Sequence, residues 1–494
     1  MLISGLALGA VLGFVMQRGR FCVTGFLRDI FTQRSWRGFV ALLIVISVHA
    51  IGLAALTSAG VITPEYNELA PVAVIVGGVI FGLGIVLAGG CASGTWYRSG
   101  EGLIGSWIAL VFYALSAAAM KTGFLGGLQN SLKDRTVGLT SIHASLGISI
   151  WPLVIALSAV TAYFAVRFLR EEFSGPRPVT LAPRKSGLAH ILAEKPWHVY
   201  ATAAIVGVLG VIAWPLSAAT GRNDGLGITT PSSNLANYVV TGDTERFDWG
   251  VLLVLGILVG SFIAAKASGE FRLRVPDATQ GARSVVGGIF MGVGAAWAGG
   301  CTVGNGMVQT SLFSYQGWLA LASIAAGVAI AAKLWLKPSA SSLNDVPSTP
   351  STTNDTAVSA TAPVTSAATS PVSLPGSEGA GVAGTEASPL AGAFTVAPVA
   401  LLDRSVVKQE DGKLKPLGDG RYELDTVGAV CPFPLIEAKD AINKIEVGEE
   451  LVIPFDCTQA TDAIPRWAAK DGHEVTNFEQ TGEAGWTISV RRGK

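Results

Sequence analysis

Charged residues are scarce in this sequence, and the scarcity excludes most soluble proteins. Asp, Glu, Lys and Arg make up 14% of its 494 residues, against roughly 25% in a typical soluble domain. The formal net charge is zero, which argues against the basic surface that nucleic-acid binding requires. The five cysteines are an odd set whose spacings match neither a zinc site nor a disulfide framework. We therefore expect no metal and no cofactor, and we interpret the cysteines as groups for thiol chemistry.

Hydrophobic residues dominate instead, at 50% of the chain. Nine apolar runs are long enough to cross about 30 Å of hydrocarbon as helices. They cover residues 1–17, 39–60, 71–88, 103–120, 148–168, 199–217, 249–267, 284–299 and 315–336. No basic segment precedes the first run, so we interpret it as an anchored span and not as a cleaved signal peptide. The predicted fold is a polytopic α-helical membrane protein, and a lipid bilayer is its first expected partner.

The distribution of basic residues predicts the orientation of the spans. Short loops rich in Lys and Arg remain on the cytoplasmic side of a bacterial membrane. Five arginines follow the first run: Arg18, Arg20, Arg28, Arg34 and Arg37. The loop 61–70 has two acids and no base, and Lys333 and Lys337 close the last run. We expect a periplasmic amino terminus and a cytoplasmic carboxyl-terminal region.

An eighteen-residue segment occurs twice. Residues 77–94, "GGVIFGLGIVLAGGCASG", and 287–304, "GGIFMGVGAAWAGGCTVG", share nine identical positions, seven of them glycine. An odd number of crossings separates the two copies, so the repeats, around 1–168 and 199–336, should be inverted. Inverted repeats with interrupted helices are typical of transporters that bind their substrate near the membrane midplane.

Each copy contains a glycine pair followed by a cysteine. Gly90 and Gly300 permit the backbone to leave the helix, and Cys91 and Cys301 then direct a thiol into the space at the break. Backbone outside a helix at this depth must be buried in protein or line a wet cavity. The alternative is that the glycines are packing faces and the cysteines ordinary buried residues.

A third cysteine, Cys22, lies in the polar segment 17–29, "QRGRFCVTGFLRD". The segment is either a re-entrant loop, in which case Cys22 joins the other two thiols along one path, or a juxtamembrane loop. Thiols offer weak donors and polarisable sulfur, which suits a sulfur-bearing anion. Further candidates for the path, each of which could also be a flanking charge, are Arg20, Arg98, Glu101, Lys121 and His143.

The carboxyl-terminal region has a different composition. Residues 338–400 are rich in Ser, Thr, Ala and Pro without periodicity, which predicts a disordered linker with a reach of about 45 Å. The remainder, 401–494 with a core at 420–492, shows the order βαβαββ. That order predicts a small soluble two-layer α/β sandwich, after a membrane domain at 1–337.

The small domain contains the motif "CPFP", Cys431 to Pro434, between its first strand and first helix. Pro432 and Pro434 pre-organise the first helical turn, and the amino end of the helix favours a nucleophilic thiolate on Cys431. Cys431 could therefore carry a persulfide; the alternative is a structural, half-buried cysteine. Cys457, after the second strand, either precedes a helix cap or serves as a resolving or second acceptor thiol.

These motifs resemble two known families. The segments "RGRFCVTG", "LAGGCASGTWYRSGEG" and "WAGGCTVGNG" are similar to the YeeE/YedE sulfur-transport family of bacterial cytoplasmic membranes. That resemblance implies thiosulfate import past Cys22, Cys91 and Cys301. The "CPFP" domain resembles the TusA/SirA-like sulfur carriers, which implies sulfur transfer to Cys431.

The resemblance predicts a thiosulfate importer fused to a persulfide carrier or sulfurtransferase domain, with a downstream cytoplasmic acceptor protein or thiol. The transport part is then not an enzyme, and the carrier part is a thiosulfate sulfurtransferase. Three alternatives remain open. The chain could be a membrane sulfurtransferase without transport, it could transport another sulfur or selenium species, or its second domain could be a binding module only.

Overall fold

The computed structural model describes residues 2–336 and 414–493, which we call the membrane domain and the C-terminal domain. The predicted linker, 338–400, lies outside the described residues. The membrane-domain helices are α1 Ile3–Arg18, α2 Val23–Thr32, α3 Arg37–Ser58, α4 Pro71–Leu87, α5 Ala92–Gly100, α6 Ile104–Lys121, α7 Gly126–Lys133, α8 Ile142–Ser145, α9 Trp151–Ser174, α10 Gly187–Ala193, α11 Val199–Ala218, α12 Thr229–Thr241, α13 Trp249–Ser268, α14 Ala278–Ala298 and α15 Tyr315–Trp335. A 3₁₀ turn, Thr244–Arg246, and a π-helical turn, Gly304–Gln309, complete it.

All nine predicted spans coincide with helices. Within the described residues, eight helical segments are long and apolar enough to cross a membrane by length and composition: Ile3–Thr32, Arg37–Ser58, Pro71–Gly100, Ile104–Lys121, Trp151–Ser174, Val199–Ala218, Trp249–Ser268 and Tyr315–Trp335. The ninth predicted run, 284–299, is the apolar part of α14, whose first turns are polar. The polytopic α-helical fold is therefore confirmed.

The helix packing shows that the halves α1–α6 and α11–α15 are related by a two-fold operation. Helix α1 packs on α13, and its equivalent α11 packs on α3, the equivalent of α13. In the same way α4 packs on α15 while α14 packs on α6, and α2 packs on α15 while α12 packs on α6. Exchanging the halves thus reproduces the contacts, as inverted repeats require.

The central pair, α4 and α14, packs backbone against backbone. A β-carbon on Gly294 would lie 2.7 Å from the carbonyl oxygen of Gly77, and one on Gly287 would lie 2.9 Å from that of Gly84. The helices therefore run antiparallel and approach as closely as small residues permit. Since Gly77 aligns with Gly287 and Gly84 with Gly294 in the repeat, each contact maps onto the other.

The C-terminal domain is a mixed sheet with two helices. Its elements are β1 Leu414–Gly418, β2 Arg421–Leu424, α16 Phe433–Ile442, β3 Glu450–Phe455, α17 Ala460–Asp471, β4 Glu474–Gly482 and β5 Gly485–Arg491. The strand order is β1-β2-β3-β5-β4, with β2 and β3 parallel and the other neighbours antiparallel. The predicted βαβαββ order is present, and β1 is an additional strand before it.

The core of this domain forms where the central strands meet the helices. Leu451, Ile453 and Phe455 alternate along β3 as buried residues, and Ile488 pairs with Ile453 across β5. Because β2 and β3 are parallel neighbours, the loops that follow them emerge side by side at one sheet edge. Both cysteines of the domain lie in these loops.

Candidate functional site

The three membrane-domain cysteines each begin a helical turn after a break in a helix. The carbonyl of Cys22 accepts from the amide of Phe26 at 3.1 Å, that of Cys91 from Thr95 at 2.8 Å, and that of Cys301 from Asn305 at 2.9 Å. All three side chains are buried inside the bundle. N–H groups at the start of a helix favour an anion, so these positions are chemically suited to a negative ligand.

Side chains satisfy the carbonyl groups that the breaks leave free. In the first copy, Arg98 donates to the carbonyl oxygen of Gly89. In the second copy, the amide of Asn305 donates to the carbonyl oxygens of Ala298 and Gly300, at 2.8 and 3.0 Å. Unpaired polar backbone is costly in a membrane, so these contacts allow both breaks to exist.

The predicted glycines Gly90 and Gly300 leave room for those side chains. A β-carbon on Gly90 would lie 3.4 Å from Nη1 of Arg98, and one on Gly300 would lie 3.3 Å from the amide nitrogen of Asn305. The latter amide is fixed in turn by Gln316, whose Nε2 donates to Oδ1 of Asn305 at 2.9 Å. Larger residues at the glycines would displace the groups that cap the breaks.

Cys22 and Cys91 are neighbours. A β-carbon on Gly94 would lie 3.3 Å from Sγ of Cys91 and 3.6 Å from Sγ of Cys22, which places both sulfurs beside the same glycine. The amide of Gly94 donates to Sγ of Cys91 at 3.4 Å, and the hydroxyl of Ser93 lies at the same distance. Cys22 thus lies buried inside the bundle beside Cys91.

Tyr113, which sequence reasoning did not select, lies near both Cys91 and Cys301. Its hydroxyl donates to Oγ1 of Thr229 at 2.8 Å, and its side chain is fully buried. Thr229 begins α12, a helix that lies between the predicted spans 199–217 and 249–267 and was not itself predicted. The sequence signal that could have identified Tyr113 is its position as a tyrosine in the middle of an apolar span.

Helix α6 connects the two ends of the membrane domain. Eighteen residues at 1.5 Å each give it a length of roughly 27 Å, close to the thickness of the hydrocarbon core. Lys121 lies at its last residue, where Nζ is 2.5 Å from Oγ1 of Thr230. His143 lies on α8 and packs against Tyr66, with ring centroids 5.6 Å apart.

The other end of the membrane domain contains a buried cluster of charges. Glu270 pairs with Arg18 and, at 3.1 Å, with Arg20. The amide of Gln17 donates to Glu270 at 2.6 Å and to Glu101 at 3.3 Å. Two predicted path residues, Arg20 and Glu101, therefore belong to one network beneath the C-terminal domain.

The C-terminal domain contacts this end of the membrane domain. Arg20 donates to the hydroxyl of Thr461, and Arg274 donates to the carbonyl oxygen of Asp456. The amide of Ala484 donates to the carbonyl oxygen of Gly269 at 3.1 Å. A β-carbon on Gly89 would lie 3.0 Å from Val430, so the loop that precedes Cys431 touches the first helix break directly.

Cys431 and Cys457 lie together at the edge of the sheet and are joined by a disulfide bond, with their Cα atoms 6.4 Å apart. Each residue is 8% exposed. Pro432 is the residue before α16, and Pro434 lies in its first turn. Cys431 lies between a strand and a helix, as predicted. The disulfide corrects the expectation that the cysteine spacings contain no disulfide pair, because the fold brings together two cysteines that are far apart in the sequence.

A cavity of about 270 Å³ lies between the two domains, and we call it the chamber. Both Cys431 and Cys457 line it, together with Arg98, Glu101 and Arg274 of the membrane domain. In the described residues, the buried Nε and Nη2 atoms of Arg274 have no hydrogen-bond partner. A guanidinium with free N–H groups is suited to an oxyanion, so the chamber can hold a small anion against the cysteine pair.

Glu101 adds to the chamber a carboxyl group whose ionisation depends on pH. It lies between the spans Pro71–Gly100 and Ile104–Lys121. Burial raises the pKa of Glu101 to about 7, while the positive charges of Arg274 and Arg98 oppose the increase. Its carboxyl group is therefore neutral below and negative above neutral pH.

An inverted-repeat helix bundle with broken helices, closed at one end by a domain that presents cysteines, defines a membrane transporter joined to a carrier domain. The profile of the sulphur transport family matches residues 18–330, and that of the sulfurtransferase TusA matches 422–492. The chain belongs to the sulphur transport family and has a TusA-like domain at its carboxyl end.

Named relatives resemble each part. The thiosulfate transporter TsuA of Escherichia coli is 51% identical over 328 residues, which cover 66% of this chain and 93% of that protein. TsuA of Spirochaeta thermophila is 32% identical over 337 residues, or 65% of this chain and 94% of that protein. Escherichia coli TsuB, whose name describes a sulfur carrier, is 59% identical over 70 residues, or 14% of this chain and 93% of TsuB.

Proposed function

We propose that this chain imports thiosulfate across a bacterial cytoplasmic membrane and transfers its outer sulfur to the C-terminal domain. The observation that carries the proposal is the chamber, which Arg274, with two nitrogen atoms that have no hydrogen-bond partner among the described residues, lines together with Cys431 and Cys457. The names of the two TsuA relatives support thiosulfate as the substrate. In this proposal the C-terminal domain is cytoplasmic and the amino terminus periplasmic.

The ion passes from Cys301 to Cys91 and Cys22 without forming a covalent bond. Each thiol is a weak donor beside the positive end of a helical turn, so each site holds the dianion loosely. Tyr113, close to both Cys91 and Cys301, adds a further hydroxyl near the two thiols. Conduction requires binding that is favourable enough to enter and weak enough to leave, which these donors supply.

In the chamber, Arg274 binds the sulfonate oxygens of thiosulfate. With its disulfide reduced, Cys431 attacks the outer sulfur as a thiolate. The new bond joins Sγ to that sulfur, the sulfur–sulfur bond of thiosulfate breaks, and the electron pair leaves with sulfite. The C-terminal domain is then a persulfide carrier, and removal of free thiosulfate favours further import.

Uptake of radiolabelled thiosulfate into proteoliposomes by the full chain tests the transport step. A hydrogen bond to a charged group contributes about 1.5–3 kcal/mol, so Cys91→Ala and Cys301→Ala should each reduce uptake by about tenfold or more. Gly281→Ala is the control, since its added methyl group meets no atom within 4 Å. Normal uptake by both cysteine variants would refute the relay.

Sulfite release by the same preparations separates transport from sulfur transfer. Cys431→Ser should still admit label but release no sulfite. Sulfite release by the unmodified chain without accumulation of label inside the vesicles would indicate a membrane sulfurtransferase instead. Unlabelled selenium and sulfur oxyanions added as competitors test the choice of thiosulfate.

A further inference from the structure

We propose that Cys457 attacks the persulfide formed on Cys431, releases its outer sulfur as hydrogen sulfide and leaves a Cys431–Cys457 disulfide. The inference rests on the proposed function, because it supplies the second half of the reaction that begins with thiosulfate. It assigns the C-terminal domain a further activity, the reductive release of sulfide.

The fold holds the two cysteines together independently of the bond between them. They follow the parallel strands β2 and β3, so their loops emerge side by side. The amide and hydroxyl of Thr426 both donate to the carbonyl oxygen of Pro454, at 3.1 and 2.9 Å, and the amide of Gly428 donates to Asp456 at 3.0 Å. These bonds tie one cysteine loop to the other, so the thiols should remain adjacent after reduction.

The docking of the C-terminal domain makes an external acceptor protein a poor competitor of Cys457 for reaction with the persulfide. Both cysteines face the chamber, whose opposite wall is the membrane domain. With Cys431 at 8% exposure, an acceptor protein could reach its persulfide only after the domains separate. Cys457 is within bonding distance while they remain docked, and a small anion such as hydrosulfide needs far less room to leave than a protein needs to enter.

The step balances with the groups that are present. The thiolate of Cys457 attacks Sγ of Cys431, the bond between the two cysteine sulfurs forms, and the bond from Sγ to the outer sulfur breaks. The outer sulfur leaves with the electron pair as hydrosulfide, so it is reduced while two thiols become a disulfide. An external dithiol reductant then restores both thiols by ordinary exchange.

A single-turnover experiment on the full chain in detergent tests the inference. The protein is reduced, freed of reductant without oxygen, and mixed with thiosulfate, after which sulfite, sulfide and the protein mass are measured. The unmodified chain should give one sulfite and one sulfide per chain and end as the disulfide. Cys457→Ser should give sulfite but at least about tenfold less sulfide, because no adjacent thiol displaces the outer sulfur, and should retain one added sulfur on Cys431.

Two control variants accompany the single-turnover experiment. Cys431→Ser should give neither product, and Asn477→Ala, an exposed position on β4, should match the unmodified chain. A stable added sulfur on Cys431 beside a free Cys457 thiol in the unmodified chain would overturn the inference and leave the proposed function intact.

Absence of sulfite from the unmodified chain would instead contradict the proposed sulfur transfer from thiosulfate. In that case, loading Cys431 with inorganic polysulfide tests the resolving step alone. Sulfide release with formation of the disulfide supports the inference, and a persistent persulfide overturns it.

Discussion

Replacement of Gly294 by alanine should destabilise the membrane domain, whereas the same change at Gly281 should not. Both residues lie on α14, but Gly294 packs on α4 and Gly281 meets no atom within 4 Å. A β-carbon at Gly294 would lie 2.5 Å from the backbone nitrogen of Phe81 and 2.7 Å from the carbonyl oxygen of Gly77. Backbone atoms cannot rotate away, so the two helices would have to separate by about 1 Å.

Overpacking of a close interface costs about 1–3 kcal/mol, and contact with backbone places this change at the upper end. A cost near 3 kcal/mol lowers the ratio of folded to unfolded protein by roughly a hundredfold. At Gly281 alanine removes a helix-disfavouring glycine and should stabilise by up to about 1 kcal/mol. The two-fold relation predicts that Gly84→Ala resembles Gly294→Ala, because its β-carbon would lie 2.7 Å from the nitrogen of Met291.

Thermal denaturation in detergent, followed by size-exclusion chromatography, measures the difference. Gly294→Ala and Gly84→Ala should each melt several degrees below the unmodified chain, and Gly281→Ala at or above it. If Gly294→Ala melts together with Gly281→Ala, the backbone-to-backbone packing of the two repeats is wrong. The inverted arrangement of the glycine–cysteine breaks would lose its main support with it.

Three further outcomes follow from the chamber and from the domain interface around it. Thiosulfate uptake at equal pH on both sides should fall as the pH rises from 6 to 8, since the carboxyl group of Glu101, with its pKa raised to about 7, becomes negative and repels the dianion. Glu101→Gln should remove this dependence. If the variant keeps the pH profile of the unmodified chain, Glu101 is not the group that causes it. Arg466→Ala should weaken docking of the C-terminal domain, seen as faster proteolysis at the domain interface, because Arg466 contacts Glu172 at 2.8 Å. The loss should be at most about 1 kcal/mol, because both side chains are partly exposed, and an unchanged rate of proteolysis would show that this pair does not hold the domains together. Arg274→Lys should lower single-turnover sulfite release by about tenfold, because lysine lacks the forked N–H groups; full activity would place the sulfonate elsewhere.

The sequence predicted the helices because apolar length is the dominant requirement in a bilayer. It also predicted the repeated helix breaks, since a glycine pair followed by a cysteine can be recognised in the sequence without knowledge of the fold. Helix α12 escaped prediction for the opposite reason: its Ser and Thr residues bond inside the protein, as Ser232 does with the indole of Trp96 at 2.9 Å. A short polar segment has the same sequence pattern whether its side chains bond to water in a loop or to another helix inside the protein.

Arg274 and Cys457 show a second limit of prediction from the sequence. Arg274 lies in a segment that reads as ordinary basic flanking sequence, and its free N–H groups acquire meaning only when the C-terminal domain closes the chamber. The pairing of Cys457 with Cys431 depends on strand order, because 26 residues separate them in the chain and only the parallel register of β2 and β3 brings them together. Strand β1 was missed since four of its five residues are exposed.

The arrangement of donors along the proposed path would give the proposed import a direction. Within the bundle, thiosulfate would meet thiols and the amino ends of short helical turns, which hold an anion by partial charges. In the chamber it would meet Arg274, a full charge with two nitrogen atoms that have no hydrogen-bond partner among the described residues, and such charge-assisted bonds are roughly twice as strong as neutral ones. Strong binding at the end of a path would normally stop conduction. Here cleavage at Cys431 would convert the bound ion into sulfite and a covalent persulfide, so the strongest site is emptied by chemistry and need not release thiosulfate back into the membrane.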